Sequence, residues 1–220
     1  MKKLFALLAL VLIALGVCVW QLPASVVVAF LPAEASKFVQ LHRLSGSVWN
    51  GRALISVVGV APALPVAWAC RPSVSPLGAR CELGGALTGV ATADVLGAAI
   101  QLERVSMVLP VQYAMGTSIG ASSSGVAADI ASATLSRQTM AIKGSIRATD
   151  ATYRAGAADV ALGEVSADCA PAPDARSSTC TVSNRAGSGR LDGKLTLTPT
   201  RANGSIELTP ANGPAQRVAF

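Results

Sequence analysis

Aromatic side chains are scarce in this chain, at 4% of its 220 residues, and charged ones make up only 14%. An average domain carries about 25% charge, so long charged helices and coiled coils are excluded. There is one histidine and no Cys-x-x-Cys pair, which removes the usual zinc-ligand patterns. The net charge is +6, yet beyond Lys2 and Lys3 the basic residues are scattered, without runs or interleaved aromatics. A nucleic-acid surface clusters them, so that class of partner is set aside. No βαβ alternation appears, which speaks against a doubly wound fold. With 51% hydrophobic residues, intrinsic disorder is also excluded.

What the chain has is glycine (20) and proline (12) scattered among short aliphatic runs. Alternation of apolar and polar residues predicts strands more often than helices. Ala53–Val58 reads as a strand ended by Gly59, and Ala99–Leu109 as a longer one stopped by Pro110. Val126–Leu135 and Met140–Arg147 continue the theme. Residues 33–41 read as a short helix or as the lead into a strand. The clearest hairpin joins Lys194–Thr198 to Ser205–Thr209 through Pro199–Gly204, a stretch that includes Asn203-Gly204. Leu195, Leu197, Ile206 and Leu208 then share one face. The expected body is mainly β, a broad curved antiparallel sheet whose apolar face needs a helix, a partner or a lipid chain to cover it.

The N-terminus differs from the rest. After Met1-Lys2-Lys3, residues Leu4 to Trp20 contain no charged or strongly polar side chain. As a helix this run spans about 25 Å, the low end of what crosses a bilayer. Trp20 stands where an interfacial aromatic belongs, and the two lysines keep the tip cytoplasmic. A retained anchor suits this length better than a cleaved signal peptide, whose apolar region is shorter. Cys18 follows Val17, a residue too large for a lipoprotein site. The expected organisation is a cytoplasmic tip and transmembrane anchor over 1–22, a juxtamembrane segment over 23–41 and an exported body over 42–220.

Four cysteines remain: Cys70, Cys81, Cys169 and Cys180. They admit three pairings. Each local pair encloses ten residues with prolines inside, as two strand ends flanking a long turn would. Spacing therefore favours Cys70–Cys81 and Cys169–Cys180 in an oxidising compartment.

Chemistry-bearing motifs are weak. Gly116-Thr117-Ser118-Ile119-Gly120 matches a nucleophile elbow in letters. The motif needs a helix after it and a histidine later in the chain, but His42 comes earlier and Ala-Ser-Ser-Ser-Gly follows. The carboxylates Asp94, Asp129, Asp159, Glu164 and Asp168 show no paired spacing. No catalytic residue, cofactor or metal site is expected.

One segment stands out: Leu44-Ser45-Gly46-Ser47-Val48-Trp49-Asn50-Gly51-Arg52-Ala53. It resembles the G-T/S-x-W-x-G-x-A segment of the type II secretion system protein N family. Leu22-Pro23-Ala24 after the apolar run, Trp68 in Pro65-Val66-Ala67-Trp68, and the glycine-led Gly193–Pro199 and Gly204–Pro210 stretches support the likeness. The resemblance implies a non-enzymatic, single-pass inner-membrane protein with a periplasmic mainly-β domain. It would support export of folded proteins by touching other secretion components. Gly46, Trp49, Gly51 and Trp68 are then candidates for a docking surface. By its own chemistry Trp49 reads first as a core plug capping one end of the sheet. A rival reading, architectural only, is a lipid-handling β-groove of the AsmA type that takes phospholipid.

Overall fold

Alternating apolar positions, frequent turn residues and little helix-forming sequence leave strands as the way to satisfy the backbone. The computed structural model describes residues 21–26, 39–57, 63–109, 120–122, 125–155, 158–211 and 214–219. Within them the chain forms one open, curved antiparallel sheet of 14 strands. They are β1 (Val39–Gly46), β2 (Asn50–Val57), β3 (Leu64–Val74), β4 (Leu77–Gly85), β5 (Leu87–Asp94), β6 (Ala99–Leu109) and β7 (Gly120–Ser122). Then follow β8 (Gly125–Ser136), β9 (Met140–Ala155), β10 (Ala158–Pro171), β11 (Ser178–Arg185), β12 (Arg190–Leu197), β13 (Ala202–Thr209) and β14 (Gln216–Ala219). Each pairs with its neighbour along the chain, except that β7 leaves the path and pairs with β9. The mainly-β expectation is met. The predicted anchor, including Leu4 and Trp20, lies outside the described residues, and among those residues no helix is long and apolar enough to cross a membrane.

Register sorts the side chains into two faces. One row reads Met107, Ala128, Ile146, Ala167, Val182, Gly193, Ile206 from β6 to β13. The next row, one residue along, reads Ser106, Asp129, Ser145, Asp168, Thr181, Lys194, Ser205. Adjacent residues of a strand point to opposite faces, so one face is aliphatic and the other polar. The sheet curls toward the aliphatic face. Leu64 on β3 packs against Met107 on β6 and Val126 on β8. In a flat sheet those strands would lie about 14–19 Å apart, out of reach of side-chain contact. A second cluster joins Leu162 on β10 to Leu208 on β13, with Tyr153 and Leu191 against it. The Tyr153 hydroxyl donates to Gln216 Oε1 at 3.3 Å, bringing β9 to β14.

Several boundaries differ from the sequence expectation. The C-terminal hairpin turns at Thr198–Arg201, and Asn203 and Gly204 lie inside β13, opposite Thr196 and Leu195. Pro199 presets the backbone of the tighter turn, and the Thr198 hydroxyl donates to the Arg201 carbonyl at 2.8 Å. Leu195, Leu197, Ile206 and Leu208 do share a face, as the alternation requires. The first cysteine pair flanks no long loop: the ladder continues past it to Val74 opposite Leu77. β9 also runs on to Ala155, well past Arg147. Of residues 33–41, Val39–Leu41 are strand; 33–38 lie outside the described residues.

Ser178 is fully buried, and its position explains why. Pro171 lacks an N–H, and the β9–β10 ladder stops at Cys169 opposite Gly144. The Ser178 hydroxyl fills the gap. It accepts from the Ile142 N–H at 2.6 Å and donates to the Met140 carbonyl at 2.7 Å. Ser178→Ala is expected to cost about 1–3 kcal/mol, because the amide and carbonyl lose their partner. A urea midpoint equal to that of the parent protein would refute this role.

Candidate functional site

The hairpin of β1 and β2 is built around two glycines with different tasks. Gly46 has φ +90°, which strains any side-chain-bearing residue. It pairs with Gly51, and Gly51 pairs with Trp68 on β3. A Cβ at Gly51 would come within 2.5 Å of the Trp68 ring. The missing side chain lets the indole lie across β2, where its Nε1–H donates to the Val48 carbonyl at 3.0 Å. Trp49 is half-buried, and its carbonyl accepts from the Cys70 N–H. Gly46, Trp49, Gly51 and Trp68 therefore form one constellation.

The chain's own N-terminal segment docks on it. The Ala24 N–H donates to the Gly46 carbonyl at 3.1 Å, and the Val48 N–H to the Leu22 carbonyl at 2.9 Å. Pro23 makes an antiparallel bridge to Ser47, and Ala24 is only 2% exposed. Leu22-Pro23-Ala24 and the glycine–tryptophan segment, quoted separately from the sequence, are thus parts of one contact.

Both local disulfides are present. Cys70–Cys81 and Cys169–Cys180 join directly opposed residues, with Cα atoms 3.9 and 4.0 Å apart. Their side chains share the aliphatic face with Leu83 and Val182. Sequence reasoning missed Asn184. Its amide donates to the carbonyls of Leu162 and Gly189 at 2.7 and 2.8 Å, and its Oδ1 accepts from the Leu191 N–H at 2.7 Å. A lone asparagine on a strand gives no sign that it will serve three backbone groups.

Titratable groups are dispersed. His42 is exposed on β1, the edge strand. Asp129 accepts from Ser106 Oγ at 2.8 Å, and Asp94 accepts the turn amides of Leu96 and Gly97. Asp192 accepts from Arg190 Nε, a hydrogen bond that raises the pKa of an exposed guanidinium. Among the described residues no group of three His, Cys, Asp or Glu could hold a metal. Ser118 lies outside the described residues.

These features define an open, disulfide-clamped sheet domain whose distinctive site is a tryptophan–glycine hairpin engaged by the segment preceding it. The chain belongs to the type II secretion system (T2SS), protein N family, whose model matches residues 37–218. No curated protein and no solved structure matches it.

Proposed function

We infer that this component of the type II secretion machinery works by contact, with the sheet held beside the inner membrane by the apolar run at its N-terminus. The observation that carries this reading is the docking of Leu22–Ala24 on the Gly46–Gly51 hairpin. It leaves almost no slack between the end of the apolar run and the sheet. An anchor joined in this way holds the body at one height and orientation, which suits a part that must meet neighbours. Two disulfides fit an oxidising compartment such as the periplasm, and dispersed polar groups fit a part that does no chemistry. The partners are other components of the same system.

The test is secretion itself. Removing residues 1–20 and supplying a cleavable export signal is expected to release the body from membranes and to impair exoprotein secretion. Undiminished secretion in that strain would overturn the assignment.

The continuous aliphatic face favours one second reading, a lipid-handling groove. Native mass spectrometry of the full chain in a lipid-free detergent separates the two. Retained phospholipid supports the groove, and a lipid-free mass supports contact alone.

A further inference from the structure

Every second turn of a meander lies at the same end of its sheet. The β1–β2, β3–β4, β5–β6, β8–β9, β10–β11 and β12–β13 turns share one end. Among the described residues, exposed aliphatic side chains gather at its turns. At the β3–β4 turn Val74 and Leu77 are 90% and 51% exposed, and at the adjoining β5–β6 turn Val95 and Leu96 are 69% and 79% exposed. The Val95 N–H donates to the Leu77 carbonyl at 3.0 Å, so the two tips form one patch. No charged residue occurs from Pro72 to Ala79 or from Val95 to Ile100. The β8–β9, β10–β11 and β12–β13 turns at this end carry exposed Arg137, Arg176 and Arg201. Asp174 faces the Arg176 backbone amide, which donates to its Oδ1 at 3.0 Å. At the opposite end the turn residues that are described, Ala86 and Ala186–Gly189 among them, carry no charge.

The direction of the docked segment decides what this end faces. Residues 22–24 run antiparallel to 46–48, and β1 runs toward the β1–β2 turn. From Ala24 back to Leu22 the chain therefore points toward that same end. β3 also continues five residues beyond Ala69, the partner of the first residue of β2. At about 3.3 Å per residue its tip projects roughly 10–16 Å further, the lower value allowing for sheet twist.

We propose that this end is a membrane foot. Val74, Leu77, Val95 and Leu96 enter the leaflet from which the anchor emerges, and Arg137, Arg176 and Arg201 meet anionic headgroups. The one carboxylate at these tips, Asp94, is turned back onto the Leu96 and Gly97 amides; the aliphatic side chains around it suit the acyl boundary, and cationic turns beside them suit an anionic surface. The foot rests on the anchored reading above and adds a second, independent attachment that fixes the tilt of the sheet.

The full chain, reconstituted in phosphatidylethanolamine–phosphatidylglycerol vesicles, tests it. A benzophenone amino acid is placed in turn at Leu77, Leu96 and Ser188, the last an exposed turn residue at the opposite end. Intact disulfides and flotation with the vesicles are checked in each. Lipid adducts at Leu77 and Leu96 and none at Ser188 are expected, with lower yield when phosphatidylglycerol is left out. A chain that floats but gives no lipid adduct at either tip overturns the foot and leaves the anchor standing. Adducts to a protein in native membranes, with none to lipid, assign the patch to a partner and also overturn it. A yield indifferent to phosphatidylglycerol overturns the role of the arginines. A chain that does not float overturns the anchored reading and the foot together.

Discussion

Gly51→Leu is expected to destabilise the body by about 2–4 kcal/mol, out of a total that for most domains is about 5–15. The new Cβ meets Trp68 at 2.5 Å on one side and the Ser45 carbonyl oxygen at 2.9 Å on another. The carbonyl belongs to β1 and cannot yield without breaking its ladder, so the indole must move. Once displaced, Trp68 loses its hydrogen bond to the Val48 carbonyl, the group next to the one that holds Leu22. The segment 22–24 is then expected to come loose, visible as faster amide exchange at Ala24 and Val48. Trp68→Phe keeps most of the apolar contact and removes only the N–H, at about 1 kcal/mol. Joining Gly51→Leu to Trp68→Ala should recover part of the loss, because the two residues touch and their effects cannot add. A Gly51→Leu protein as stable as the parent, with Ala24 still slow to exchange, would remove the structural basis of the motif.

That motif was legible in the sequence only as a string. The letters Gly46, Trp49 and Gly51, with Trp68 beyond, pointed to the family the chain belongs to. What they do physically required the register, because a glycine reveals its purpose only when the residue opposite is known. Gly51 sits against an indole 17 positions away along the chain. The strands themselves were easier. Ala99–Leu109 appears with the predicted bounds, since period-two alternation and a terminal proline are local signals. Turn positions were less legible where two turn signals competed. In Pro199–Gly204 the proline sets the turn and the Asn-Gly pair is absorbed into β13. Ser178 and Asn184 could not be foreseen, because each answers a deficit created elsewhere: a missing N–H at Pro171, and carbonyls left open at Leu162 and Gly189. That the tips at Val74–Leu77 and Val95–Leu96 lie side by side likewise depends on which turns fall at one end, and only the order of the strands supplies that.

The two disulfides should differ in what their loss does. Each closes a loop with a sequence separation of 11, and loop closure of that size contributes about 2.7 kcal/mol. Cys70→Ala/Cys81→Ala is expected to cost close to that figure, since both residues are only half-buried. Cys180 is buried among Val182, Leu195 and their neighbours, at 4% exposure. Cys169→Ala/Cys180→Ala therefore adds a small cavity to the entropic loss, for a total of about 3–4 kcal/mol. Reducing both bonds should remove about 5–6 kcal/mol, comparable with the whole stability of many domains. The buried residues of this open sheet are mostly small, several of them alanine, so little apolar burial stands behind the bridges. Dithiothreitol is accordingly expected to lower the urea midpoint steeply. A greater loss from the Cys70–Cys81 variant than from the Cys169–Cys180 variant would refute the contribution of burial, and a reduced chain as resistant as the oxidised one would show that the aliphatic face holds the sheet without them.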